Sequence, residues 1–337
     1  MHQLSIEEVQ SSPVGMGSNA IRSIDTPRFI APLGCAAVWP IVAGAQHAPR
    51  TGRRRRAAKK MALALAAAVI ILITTAVTTA LAAPKSNRIR VKYVLPKEPT
   101  HQQIYERLKE HRSLERLQHF LSPFRLPRTL TISLKGCDGE ADAWYDKDEI
   151  TLCYEYVEEL WKHRLPETAP GGLTPFDTVL GPLCDTALHE FAHALFDMLK
   201  VPVLGREEDA ADQVAVYINL HFGKADARRL ILGTAYAYGS EAERAAPLTL
   251  KQFSDEHGTP AQRAYNELCI AYGADPKMFG DLVTRGYLPE KRAEACGDEY
   301  QQIASAYEKL IMPHLNRALS KRILDRAWLP KSFTNLH

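Results

Sequence analysis

A chain of 337 residues with 46% apolar and 24% charged content has room for one or two globular domains and falls outside the disordered and collagen-like classes. Its formal charge of +3 is unevenly placed. Residues 1–60 hold nine Arg/Lys against three Asp/Glu, leaving 33 basic and 36 acidic residues for the remainder, so the folded part is mildly acidic and lacks the basic stripe of a nucleic-acid binder.

Residues 1–52 show no sustained periodicity and are rich in Ser, Pro, Gly and Ala. They read as a disordered leader or as an upstream extension from a start codon placed too early, and the basic cluster at 53–60 closes this first segment, 1–60. Met61 to Ala83 then runs 23 residues without a charge, long enough to span a bilayer. The basic flank predicts a cytoplasmic N-terminus, and the Ala-Leu-Ala-Ala ending at Ala83 is a pattern that a signal peptidase could cut. Residues 61–83 are therefore a signal peptide or a single transmembrane signal anchor. Either one exports residues 84–337, which would form one domain in the periplasm, outside the cell, or held at the membrane.

Within that domain, Ile89 to Leu95 alternates as a strand. Thr100 and Gln103 form a capping-box pattern for a helix to about Leu121. Leu130 to Leu134 alternates again. Ala141 to Tyr145 and Glu149 to Cys153 read as a hairpin around Asp146-Lys147-Asp148, followed by a helix from Tyr154 to His163. The next helix begins between Thr174 and Leu183, since Gly181-Pro182 could kink it or delay its start, and runs to about Leu199. Helices are also expected over Glu207 to Phe222, Ala225 to Tyr238, Pro260 to Tyr272 and Pro276 to Thr284. A long amphipathic helix follows over Pro289 to Leu319, broken near Gly297 and Pro313. The expected class is α+β, mostly α-helical, with a small antiparallel sheet.

The helix ending at Leu199 carries His189-Glu190-Phe191-Ala192-His193, an H-E-x-x-H pattern. Positions i and i+4 share one helical face, so His189 and His193 can aim two imidazoles at one metal ion. Glu190 can reach a water on that metal, and zinc lowers the pKa of such a water to about 7. The flanks are uncharged from Thr186 to Leu195 apart from the motif itself, as a buried metal helix requires. A third ligand is expected from Glu207-Glu208-Asp209-Ala210-Ala211-Asp212. Glu208 and Asp212 lie one turn apart, so Glu208 could bind the metal and Asp212 could hold the free nitrogen of a ligand histidine. Glu207 and Asp209 remain alternatives to Glu208. His257 and Tyr265 are candidate donors to the oxyanion of a tetrahedral intermediate.

Of the six cysteines, none forms a C-x-x-C pair. Cys137 and Cys153 bracket the hairpin, and Cys269 and Cys296 bracket a helix-loop-helix. Two disulfides with these pairings are expected of an exported domain. Cys184, on the metal helix, reads as a buried free thiol with a ligand role as the less favoured reading, and Cys35 lies in the leader.

The blocks HEFAHAL, VPVLGREEDAADQ, CDGEADAWYDKDEITLCYE, DEHGTPAQRAYNELCIAYGADP and CGDEY together cover roughly residues 90–315. In these blocks the chain resembles a bacterial family catalogued as a domain of unknown function and grouped with the zincin-like metallopeptidases. Its E-x-x-A-D arrangement is also similar to that of membrane-associated zinc peptidases with a glutamate ligand. The family tends to have Gly where this chain has Ala192 and Asn where it has Asp142. The resemblance implies a zincin-like domain in which a sheet edge lies above the metal helix and an extended peptide adds to that edge.

These readings together predict an exported peptidase with one zinc per chain and a peptide or protein substrate. It would bind no nucleic acid and would meet the membrane through residues 61–83 if they are not cleaved. The alternatives are a zinc-stabilised extracellular binding module without catalysis, and a zinc amidase acting on cell-wall peptide.

Overall fold

The computed structural model describes residues 88–169, 172–245, 247, 250 and 252–324. The leader, Cys35 and the apolar run from Met61 to Ala83 lie outside the described residues, and among the described residues no helix is long and apolar enough to cross a membrane. The elements in order are β1 (Ile89–Tyr93), α1 (Pro99–Glu110), α2 (Ser113–Phe120), β2 (Leu130–Lys135), β3 (Ala143–Asp146), β4 (Glu149–Cys153), α3 (Tyr154–Lys162), α4 (Asp177–Leu199), α5 (Glu207–Asn219), α6 (Lys224–Arg244) and α7 (Pro260–Ala274). Short helical turns at Pro276–Phe279, Asp281–Thr284 and Glu290–Ala293 lead to α8 (Cys296–Leu310) and α9 (Arg317–Leu324).

The molecule is mostly helical with one small sheet, the expected α+β class, but the sheet is mixed rather than antiparallel. Its order is β1-β2-β4-β3, with β1 and β4 both parallel to β2 and only β3 antiparallel to its neighbour β4. The chain crosses over through α1 and α2 between β1 and β2, which makes that pair parallel. The hairpin then inserts its second strand beside β2 and leaves β3 as the edge. The parallel core is covered on both faces. Ile132 and Leu134 are fully buried, and so is Ser133 between them, pointing to the opposite face.

Two expected features near the N-terminus of the domain differ. The helix drawn to Leu121 is broken, because Arg112 takes a left-handed conformation with φ of 52° between α1 and α2. No capping box starts α1. Glu98 is its N-cap and makes no side-chain bond, while Pro99 sets the first turn with its fixed φ. The hairpin turn contracts to Lys147 and Asp148, both at positive φ as a tight two-residue hairpin loop demands.

Helix α4 is the axis of the domain. It packs on β3 and β4, on α3, and on α5 and α6. Phe191, Ala192, Ala194 and Leu195 are completely buried, which explains why the stretch from Thr186 to Leu195 carries no charge outside its motif. Pro182 lies inside the helix without ending it, beside a close helix crossing. There Gly181 of α4 faces Gly233 of α6, and a Cβ on Gly181 would stand 2.6 Å from the Leu230 carbonyl oxygen. The two glycines let the backbones meet where any side chain would hold them apart. Disulfides join Cys137 to Cys153 and Cys269 to Cys296. The first ties β4 to the loop before β3, and the second ties α7 to α8.

Candidate metal centre

Helix α4 presents His189, Glu190 and His193 from its buried middle, and α5 crosses it to present Glu208. Gly205, at φ of 94°, turns the chain into α5, so the acidic run falls in the first turn of that helix. Three atoms converge. His189 Nε2 lies 2.9 Å from Glu208 Oε2, His193 Nε2 lies 3.3 Å from the same oxygen, and the two Nε2 atoms are 3.1 Å apart. Ligand atoms about 2.0–2.1 Å from one tetrahedral zinc stand about 3.3 Å from each other. The observed triangle therefore has the size that such an ion needs, and its donors are the nitrogen and oxygen types that zinc takes.

The remaining acidic residues sort by position. Glu207 Oε1 lies 2.8 Å from Nδ1 of His193, behind the ring, and Asp209 pairs with Arg206 at 2.7 Å. Glu208 is thus the carboxylate that the fold brings to the two Nε2 atoms. Asp212, one turn along, lies 2.8 Å from Nδ1 of His189. Arg263 of α7 donates to both Asp212 oxygens at 2.8 and 2.6 Å and stacks over the Tyr238 ring.

The electrostatics follow from these contacts. Burial works against a charged His189, but its bonds to Asp212 and Glu208 outweigh that and raise its pKa to about 9. The same contact with His189 lowers Glu208 to about 2. Burial would raise Asp212, yet His189 and Arg263 together lower it to about 2. Glu190 behaves oppositely. Burial, helped by the charge of Glu208, pushes it up against the two histidines and a backbone contact from Tyr145.

That contact places the sheet edge beside Glu190. Cys153 N–H donates to the Asp142 carbonyl, so antiparallel alternation makes Trp144 the next residue bonded inward to β4 and turns the peptide groups of Ala143 and Tyr145 outward. Asp142 accepts the Ala143 N–H at 2.8 Å through its own side chain. The Tyr145 hydroxyl donates to Asp197 at 2.7 Å, fastening β3 to the end of α4.

His257 comes to the same place from the loop before α7. Its Nε2 lies 2.8 Å from Glu208 Oε2, and its ring stacks on His189 with centroids 5.7 Å apart. Tyr265 is half exposed on α7, and no described hydrogen bond joins it to the His–Glu group. Cys184 is a free thiol, 3.8 Å from the Asn219 side-chain oxygen, and its pKa is pushed up by burial.

This chain belongs to the family DUF4344, described as "putative metallopeptidase". The match covers residues 93–311, more than half of the chain, and includes the histidines, Glu190, Glu208, Asp212 and His257. No curated protein and no solved structure matches the chain. Family membership implies a metal, and His189, His193 and Glu208 are a candidate group for holding one. Arg263 and the Tyr145 backbone were not singled out from the sequence. Arg263 belongs to no spacing pattern, and its pairing with Asp212 spans 51 residues. A buried arginine opposite an E-x-x-A-D carboxylate is the only signal that could have been sought.

Proposed function

We propose that this protein is a zinc-dependent metallopeptidase that hydrolyses peptide bonds outside the cytoplasm. The observation that carries the reading is the convergence of His189, His193 and Glu208, with Glu190 at the free edge of β3. His189, His193 and Glu208 would hold the metal, and Asp212 would fix the His189 ring by accepting from Nδ1. Zinc, when bound there, supplies Lewis acidity to the scissile carbonyl and a lowered pKa to the attacking water.

The chain's own residues supply the rest. An extended substrate would lie along β3 and donate to the outward carbonyl oxygens of Ala143 and Tyr145. Glu190 would take a proton from the attacking water and deliver it to the leaving amine. Burial raises its pKa, the direction that helps it hold the water's proton until the amine leaves. His257 stands at the rim and would donate to the carbonyl oxygen as charge builds on it. Export is supported by the apolar run Met61–Ala83 behind a basic cluster, and by the two disulfides, which persist in oxidising compartments.

One observation favours a second reading. His257 reaches the very oxygen of Glu208 that faces the histidines, so it could close the site as a fourth side chain and make it a zinc-stabilised binding module. Metal content and peptide hydrolysis of wild type beside Glu190→Gln and His257→Gln separate the two. A peptidase keeps about one zinc in all three proteins, loses kcat by about 10²–10⁴ in Glu190→Gln, and loses activity but not zinc in His257→Gln. A closed site shows no hydrolysis in any of them, and zinc affinity falls in His257→Gln. No zinc in any protein would remove both readings.

A further inference from the structure

Behind the metal centre, on the far side of Asp212, a polar cavity of about 360 Å³ lies among α4, α5, α7 and α8. Five carboxylates line it, from Asp185, Asp209, Asp212, Glu267 and Glu299. Three of them face a guanidinium, since Asp209 pairs with Arg206, Asp212 with Arg263 and Glu299 with Arg292. The other two do not. Asp185 is buried and receives one amide N–H from Asn219 at 2.8 Å. Glu267 is only 3% exposed, and its Oε1 has no hydrogen-bond partner.

A buried carboxylate without a partner is costly unless a proton or a cation neutralises it. Arg263 is on the same wall, but Asp212 already engages it through two nitrogens. The zinc ligands do not reach this space, so the chemistry proposed above leaves Asp185 and Glu267 unused. We propose that the cavity is a second cation site, binding one hard divalent ion of the calcium class through Glu267 and Asp185. Two carboxylates, with the side-chain amides of Gln213 and Gln302 on the same wall and room for several waters, form the all-oxygen set that such an ion takes. Burial and like charge, from Asp212 on both and from Asp185 on Glu267, raise both carboxyls.

The ion would join α4 to α7 directly behind His189, making the metal helix dependent on it for rigidity. The test uses the full chain kept saturated with zinc, so that failure of the peptidase reading does not affect it. Thermal melting is followed from chelated buffer to about 10 mM calcium, and terbium emission is excited through Tyr238, which lines the cavity. We expect saturable binding near one ion per chain with Kd on the order of 0.1–1 mM, and a Tm several degrees higher with calcium. Glu267→Gln should lose the calcium response, because it removes a carboxylate ligand. Asp185→Asn should weaken terbium binding at least about tenfold while zinc content is unchanged. A wild-type Tm that ignores calcium, or variants that respond as wild type does, would overturn the proposal. In that case the two carboxyls hold protons instead of a metal. Should a variant fail to fold, the wild-type titration alone decides.

Discussion

At the residue scale, the centre is a relay of charge from Arg263 through Asp212 to His189. Asp212 lies 2.8 Å from His189 Nδ1, where it would fix the imidazole of the proposed zinc site, so Asp212→Ala should weaken zinc binding by about 10–100-fold, as read by competition with a chelator. The relay also sets a pH window for the metal-free protein. His189 has its pKa raised to about 9, so its ion pairs stabilise the fold fully below its ordinary value of about 6.5 and are lost as the pH rises through 9. Glu208 and Asp212 are lowered to about 2, so their contribution is present above the ordinary carboxylate range and is lost as the pH falls towards 2. Chelated protein should therefore melt highest between about pH 4.5 and 6.5 and lose Tm between 6.5 and 9. With zinc bound, the alkaline loss should vanish, because a metal-bound imidazole has no proton to lose there. An alkaline loss that persists in the zinc form would contradict the assignment of His189 as a ligand.

At the element scale, two contacts hold the site's parts in register. The Gly181–Gly233 crossing brings α6 against the start of α4, and Gly233→Ala would drive a Cβ into the Asp177 carbonyl. Because the obstacle is backbone, overpacking of about 1–3 kcal/mol is expected, measured by urea unfolding. The edge strand is held by the Tyr145 hydroxyl on Asp197, with Arg128 bridging Asp197 and Asp148. Tyr145→Phe removes that bond while keeping the ring, so it should cost about 0.5–1.5 kcal/mol of stability. In a peptidase, KM should rise more than kcat falls, because the loss is in substrate alignment, not in proton transfer. Equal loss in kcat and kcat/KM would place the tyrosine in the chemistry instead.

At the scale of the whole molecule, the two disulfides clamp the regions on either side of the site. Cys137–Cys153 closes a 16-residue separation around the edge strand, and Cys269–Cys296 a separation of 27 around the α7–α8 connection. Loops of that length give about 3 kcal/mol each by restricting the unfolded chain, so Cys137→Ser with Cys153→Ser should lower unfolding free energy by about 2–4 kcal/mol. Folding in a reducing compartment would forfeit both clamps, which supports the proposed export.

How much of this was legible in the sequence depended on distance along the chain. The aim of His189 and His193, and the pairing of Glu208 with Asp212, follow from 3.6 residues per turn. They are local facts that a sequence carries by itself. Both disulfides could be read because each spans one short supersecondary unit. Glu208 could not be separated from Glu207 and Asp209 by sequence, since all three occupy one turn and only the angle at which α5 crosses α4 selects between them. The sheet was misread for the same reason. Alternation identifies strands, but strand neighbours depend on which long crossover closes, and β4 rather than β3 came to lie beside β2. Arg263, His257 and the Tyr145 peptide reach the centre from three separate elements, 44 to 74 residues from His189. The sequence by itself therefore determined the chemistry of the metal helix. The tertiary structure alone decided which partners surround that helix, which sheet edge it meets, and which buried carboxylates were left without a counter-charge, because packing and desolvation act between residues that the chain keeps far apart.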